Sequence, residues 1–268
     1  MKEYSISSIS EYISCIERIR VAENLWFRGV PSSQHLLVPG IIWRGLSLHE
    51  GNLEHGFLEA YKSYTNNSVL NAWEIFSLMQ HHGLPTRLLD WTESALVALY
   101  FSLSSDINNK SSTVWAINPF SLNDLSINQR RLYCPAIMNN RTVTSDSNDI
   151  NLDCYLPPNL KNKPDMRTPE LPIAIKANYH SRRIASQKGC FTVHGTNVSS
   201  INEIMKDDVV RINVCDESNS KNCMLDVLSE LGINEESIYQ DLDSLCRKLT
   251  REWANEKPDM IFKQIHNN

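Results

Sequence analysis

Residues 80–101 read QHHGLPTRLLDWTESALVALYF, and what this stretch builds decides the fold around it. His81-His82-Gly83-Leu84-Pro85 stops a helix, since Gly supplies a C-terminal cap and Pro cannot continue the ladder. Thr86 to Asp90 is a short apolar strand-like stretch. Asp90 stands three residues before Glu93, a capping-box spacing, ahead of the run Ala95-Leu96-Val97-Ala98-Leu99-Tyr100-Phe101. That run is apolar nearly all round, which predicts a helix at the centre of the molecule. Asp90 as N-cap, with Arg87 as its partner, is a purely structural account. The other account places His81, His82, Arg87, Asp90 and Trp91 at a junction of helix, strand and helix, where pockets form. The two histidines are adjacent and project in different directions, so they make a poor chelating pair.

Upstream, Ser8 precedes Glu11 by three residues, and Ile9, Ile13, Ile16 and Ile19 follow at helical intervals, predicting an amphipathic helix. Leu25-Trp26-Phe27-Arg28-Gly29-Val30, closed by Pro31, suits a buried strand. Arg28 within it must be paired. Its planar fork matches an anionic ligand, and equally a buried structural carboxylate. Leu53, Phe57, Leu58, Tyr61 and Tyr64, then Trp73, Phe76, Met79 and Gln80, predict two successive helices.

Downstream, residues 112–119 (STVWAINP) read as a strand, and about 120–170 turns polar without a strong period, which predicts an insertion or elaborated loop. Residues 172–178 (PIAIKAN) and 190–194 (CFTVH) are two more strands, joined by a basic turn and a short helix through Gln187. Val209 to Val214 is a further strand, followed by a helix over Lys221–Leu231 ended by Gly232 and a last helix from about Glu235 to Trp253. Between the strands, Arg182, Arg183 and Lys188 crowd against Gln187 and a strand that ends in His194-Gly195. This cluster offers charge for phosphate, an amide for a sugar hydroxyl and a proton carrier. Taken singly, each is also an ordinary surface cation or strand cap.

The 268 residues contain 41% hydrophobic and 21% charged residues, which excludes collagen-like, low-complexity and wholly disordered chains. With 26 Lys+Arg against 31 Asp+Glu, the net charge is −5, so any nucleic acid must be met at a local patch. No apolar run is long enough to span a bilayer and the first residues lack a signal-peptide core, so a cytoplasmic chain with no membrane partner is expected. The seven scattered cysteines form no C-x-x-C pair, which predicts reduced thiols and no metal site. G-x-S-x-G, P-loop, G-x-G-x-x-G and H-E-x-x-H motifs are absent.

Three blocks together resemble the FRG-domain family: Phe27-Arg28-Gly29; His82-Gly83-Leu84-Pro85-Thr86-Arg87-Leu88-Leu89-Asp90-Trp91-Thr92; and Arg183-Ile184 with Gln187, Gly189, Phe191 and His194. The likeness covers roughly 22–120 and 172–250 of what reads as one FRG-type domain over 1–268, with 120–170 as this chain's own insertion. The layout is also similar to that of the ADP-ribosyltransferases: Trp26-Phe27-Arg28 on one strand, a second strand leading into a helix, and Gln187 ahead of a later strand. The usual Ser-Thr-Ser strand is here Thr86 to Asp90, and no Q-x-E or E-x-E pair stands near Gln187.

That resemblance implies an α+β fold of small mixed or antiparallel sheets with helices packed around a cleft, and NAD as substrate between the sheets. Arg28, Gly29 and Arg87 would bind the pyrophosphate or ribose, and Tyr64, Trp91 or Tyr100 would face the nicotinamide. Asp90 or Gln187 would hold the ribose hydroxyls, and His82 or His194 would accept the proton of the attacking group. Arg182, Arg183 and Lys188 would meet a nucleic-acid acceptor, RNA before DNA, with protein as the other acceptor class. The implied role is a toxin of a bacterial anti-phage or toxin–antitoxin system, partnered by an antitoxin or chaperone. The alternatives are a non-catalytic nucleotide- or nucleic-acid-binding module, and a metal-independent RNase built on Asp90 with His82 or His194.

Overall fold

In the computed structural model, which describes residues 1–20, 24–65, 69–104, 111–144, 149–163, 165–179, 181–215 and 220–254, the chain opens with strand β1 (Lys2–Ile6) and helix α1 (Ile9–Ile19). Strand β2 (Trp26–Val30) and three helices follow: α2 (Gly40–Trp43), α3 (Glu50–Ala60) and α4 (Ala72–His81). Next come β3 (Leu88–Thr92), α5 (Ala95–Ser104), β4 (Ser111–Ile117) and α6 (Pro119–Ile127). A small hairpin, β5 (Thr142–Thr144) and β6 (Asp149–Asn151), leads to β7 (Ile173–Lys176), α7 (Arg182–Ser186) and β8 (Gly189–Val193). The chain then adds α8 (Ile201–Met205), β9 (Val209–Cys215), α9 (Ser220–Glu230), α10 (Glu235–Tyr239) and α11 (Leu242–Ala254).

The fold is mixed α+β. Seven strands form one sheet in the order β1-β9-β4-β2-β3-β8-β7, antiparallel except for the β1–β9 pair. The expectation of separate small sheets is therefore corrected, since β2 and β3 join the two halves. They join at a single position, Phe27 opposite Thr92, whereas β2 pairs with β4 along its whole length. The sheet thus opens between β2 and β3.

Alternation along the strands divides the core. Trp26, Leu89, Trp91 and Trp115 pack on one face under α6 and α8, while Phe27, Val114 and Ile212 pack on the other with α1, α5 and α9. Gly29 belongs to that second packing. A Cβ there would lie 1.8 Å from the Ala98 carbonyl oxygen of α5, so only glycine lets the strand and this central helix meet. The Tyr12 hydroxyl ties α1 to the same helix by donating to the Ala95 carbonyl at 2.7 Å.

Several expectations need correction. Asp90 lies in mid-strand, paired opposite Phe191, and does not cap α5; Ser94 does, accepting from the Val97 amide through Oγ and from Ala98 through its carbonyl. The 120–170 region is structured rather than a plain loop. Asn118 caps α6 with Pro119 in its first turn, and Leu152, Tyr155 and Leu156 are wholly buried against α4 and β8. The expected final helix breaks in two, with Gln240 at φ 51° after α10. Among the described residues, no helix is long and apolar enough to cross a membrane. All seven cysteines are free thiols.

Candidate active site

The opening between β2 and β3 forms a cleft of about 440 Å³, within the size range of small-molecule sites. One lip is β2 with Pro31 and His35. The other is β3 and β8, backed by Ser77, Gln80 and His81 of α4, by Arg183 and Ile184 of α7, and by Gln187 just after it.

Helix α4 is built to hold its end of the cleft. Asn71 and Glu74 form a reciprocal capping box at its start. At its end, Gly83 takes φ 81° while the Leu84 amide reaches back to the Met79 carbonyl, which turns the chain sharply towards β3. That turn brings Gln80 beside Asp90. The Thr86 hydroxyl accepts from the Leu88 amide (3.0 Å) and donates to Gln80 Oε1 (2.7 Å), and Gln80 Nε2 donates to Asp90 Oδ2 (2.7 Å). The Thr86 bond fixes which way the Gln80 amide faces, and so fixes the Asp90 carboxylate.

Arg28 answers from the opposite lip. Where the sheet opens, the β3 backbone has no β2 ladder partner, and Arg28 Nη1 donates instead to the Asp90 carbonyl at 2.6 Å. The same nitrogen lies 3.9 Å from Asp90 Oδ2. Burial pulls the guanidinium pKa below its ordinary value, and the Asp90 carboxylate opposes that shift. The side chain still keeps about a quarter of its surface exposed (26%), and Asp90 about half (53%), so both reach the cleft.

Four buried polar atoms on the residues lining this cleft have no hydrogen-bond partner among the described residues: Arg28 Nε, His35 Nδ1, Ser77 Oγ and Gln187 Nε2. Buried polar groups are almost always satisfied, so a cluster of unsatisfied ones marks a place for a polar ligand. Two are donors only, and two can donate or accept. With Arg28 and Arg183 set against Asp90 as the one lining carboxylate among the described residues, the set suits an acceptor-rich, anionic ligand.

The structure sorts the residues singled out in the sequence. Arg28, Gly29, Asp90, Trp91, Arg183 and Gln187 line the cleft. Trp91 does so along its strand, because its indole is buried in the core and donates to Thr192 Oγ1 at 3.0 Å. Arg183 packs over the Tyr239 ring at 4.8 Å, and Tyr239 meets Phe101, another lining residue, edge-on at 6.2 Å. Arg182 and Lys188 are exposed nearby; Lys188 borders a second, more open hollow beyond Phe27.

The others stand elsewhere. Arg87 is a structural clamp, not a ligand group. Its fork donates to Glu50 (2.7 Å) and to the carbonyls of His194 (2.7 Å), Tyr155 (2.8 Å) and Leu156 (3.0 Å). His194 is fully buried outside the cleft, with Nε2 3.3 Å from the Ser199 carbonyl oxygen, and burial pushes its pKa down to about 4. It cannot serve as a proton carrier for a bound ligand. Tyr64 projects into solvent, Tyr100 is packed in the core, and His82 is exposed at the α4 cap. The RNase arrangement of Asp90 with His82 or His194 thus finds neither imidazole on the cleft wall.

Sequence reasoning missed Gln80 as a positioning group, together with His35, Ser77 and Phe101. The Thr86–Gln80 pairing crosses a turn whose geometry no linear spacing displays. His35 carries a fainter signal: from Asn24 to His49 the chain has no carboxylate. Among the described residues no group of three or more His, Cys, Asp or Glu is placed to hold a metal ion.

The sheet thus opens between β2 and β3 with an arginine and a carboxylate facing across the gap. The family profile described as FRG domain matches residues 23–111, a span that contains β2, the α4–β3 turn and α5, so the chain carries an FRG domain. No curated protein and no solved structure is similar enough to count as a match.

Proposed function

We infer that this chain is an ADP-ribosyltransferase that takes NAD as its donor in the cleft between β2 and β3. The observation that carries the reading is the opening of the sheet, with Arg28 and Asp90 facing each other from its two lips. The layout is similar to that of ADP-ribosyltransferases, in which the donor lies where two half-sheets part. The four unsatisfied polar atoms fit a ligand rich in phosphate and hydroxyl oxygens.

On this reading Arg28 and Arg183 bind the pyrophosphate, and Gln187 binds a ribose hydroxyl. The bond between ribose C1′ and the nicotinamide nitrogen breaks, and its electron pair leaves with nicotinamide, neutralising the ring. The positive charge that grows on the ribose is stabilised by the Asp90 carboxylate, which Gln80 and Thr86 hold still. The acceptor then forms a bond to C1′, and its proton passes to an imidazole on the cleft wall, His35 or His81.

Incubation with labelled NAD, followed by separation of released nicotinamide and labelled RNA, DNA and protein, tests this directly. Asp90→Asn is expected to lower kcat by about a hundred-fold or more while leaving the melting temperature nearly unchanged. A wild-type protein that neither releases nicotinamide nor transfers label overturns the reading. Growth arrest on expression, relieved by Asp90→Asn, tests the toxin role that transfer to cellular RNA entails. One observation favours a second reading, nucleotide binding without turnover: the sole lining carboxylate among the described residues is already bonded to Gln80. Calorimetric NAD binding with no product after prolonged incubation is its signature.

A further inference from the structure

At the β2 lip the cleft is bordered by His35, and an indole stands against that imidazole: the Trp43 ring lies 5.5 Å from His35, tilted by 30°. Trp43 is more than half exposed (54%), while Trp26, Trp73, Trp91 and Trp115 are almost wholly buried. It is also held firmly. Its helix, α2, is tied to the FRG block by the Ile41 amide, which donates to the Thr86 carbonyl at 3.3 Å, and is closed by Leu46 bonding back to Ile41 at 2.8 Å. Thr86 is the residue that orients Gln80. A rigid, solvent-facing aromatic plane therefore stands at the edge of the cleft, on the backbone that also sets Asp90.

Charge indicates what this plane meets. In a chain of net charge −5, the stretch from Asn24 to His49 contains no carboxylate, but carries Arg28, His35, Arg44 and His49. Arg44 follows Trp43 directly and is exposed, with no ion pair among the described residues. An aromatic plane beside an unpaired arginine, Arg44, is the arrangement that holds single-stranded nucleic acid, through base stacking and phosphate contact. An apolar protein partner would use the Trp43 ring and leave Arg44 unanswered.

We propose that Trp43, backed by His35, is the stacking platform for an unpaired base of a single-stranded nucleic-acid acceptor, with Arg44 on the neighbouring phosphate. This names the acceptor for the transferase reading, and its acceptor arm rests on that reading. A base stacked there lies on the far side of the indole from His35, one ring away from a residue that lines the donor cleft.

Two measurements on the full chain keep the platform separate from the reading of the cleft. In a Trp253→Phe background, which removes the other exposed indole, a short single-stranded RNA is expected to quench the accessible tryptophan emission saturably. Trp43→Leu should abolish that quenching, and Trp43→Tyr should weaken RNA binding less than Trp43→Leu does. Absence of quenching, or equal RNA affinity in wild type and Trp43→Leu, overturns the platform whether or not NAD is turned over. In the second measurement, Trp43→Leu should cut label transfer to RNA by about ten-fold or more while nicotinamide release into water stays at the wild-type rate. Transfer to RNA at the wild-type rate, or transfer to protein alone, overturns the assignment of the acceptor. If wild type releases no nicotinamide, the transferase reading fails, and the quenching result still decides the platform.

Discussion

Arg28 and Arg87 both sit in apolar sequence, and their partners divide them. Every donor direction of Arg87 that the structure describes ends on an acceptor inside the fold. Arg28 makes one bond, to the Asp90 carbonyl, and keeps a buried Nε free. Arg87→Ala should therefore cost about 3–5 kcal/mol, because Glu50 and three carbonyls lose their partner, and urea denaturation should show it. Arg28→Gln should cost only about 1–2 kcal/mol yet lose NAD binding by calorimetry. His194 adds a pH dependence. Its pKa in the folded protein, about 4, lies below its ordinary 6.5, so the folded state binds fewer protons than the unfolded chain in that window. Stability is full near neutral pH and falls as pH drops from about 6.5 to about 4; between about pH 7 and pH 5 the loss is about 2 kcal/mol. Replacement by Gln should flatten that slope in urea titrations. At this scale the sequence identifies the arginines as constrained but cannot rank them, since their partners come from residues 62 and 107 positions away.

The long, strongly patterned elements are readable without coordinates. The α1 capping box, the Gly83 stop of α4 and the all-apolar α5 each follow from local rules that the fold obeys. Strand β1 is not readable, because KEYSI shows no apolar alternation: it is a parallel edge strand in which only Ile6 is buried. Asp90 misleads for a related reason. Its spacing to Glu93 fits a cap, but pairing with β8 extends the strand to Thr92 and moves the cap to Ser94. The β2–α5 contact yields the sharpest prediction for an element. Gly29→Ala would drive a methyl into the Ala98 carbonyl and the Ser102 amide, 1.8 Å and 2.7 Å away, so strand and helix must separate. A loss of about 3 kcal/mol or more is expected from this overpacking, read as a fall in melting temperature. Gly29→Ser should do no better, which distinguishes backbone clash from any need for a polar group.

Across the whole molecule, the FRG motifs are shared between structure and site. Arg87 binds the 120–170 region to the end of β8, while Thr86 and Asp90, its neighbours in the same block, shape the cleft. The sequence reads 120–170 as an insertion or elaborated loop, since its residues are polar and aperiodic, but Tyr155 and Leu156 accept from the Arg87 guanidinium and fill the core behind α4. A ligand that bridges the two lips should slow amide exchange in β2 and β3. The amides shared by β4 and β9, paired along seven residues, should exchange unchanged. Equal protection in both places would mean a ligand bound elsewhere. The single Phe27–Thr92 pairing has a mechanical consequence as well. Each half of the sheet is stiffened by continuous ladders, whereas the seam between them carries one ladder pair, with the Arg28–Asp90 bond beside it. Bending is therefore concentrated along that line, and the molecule is best pictured as two plates on a common pivot.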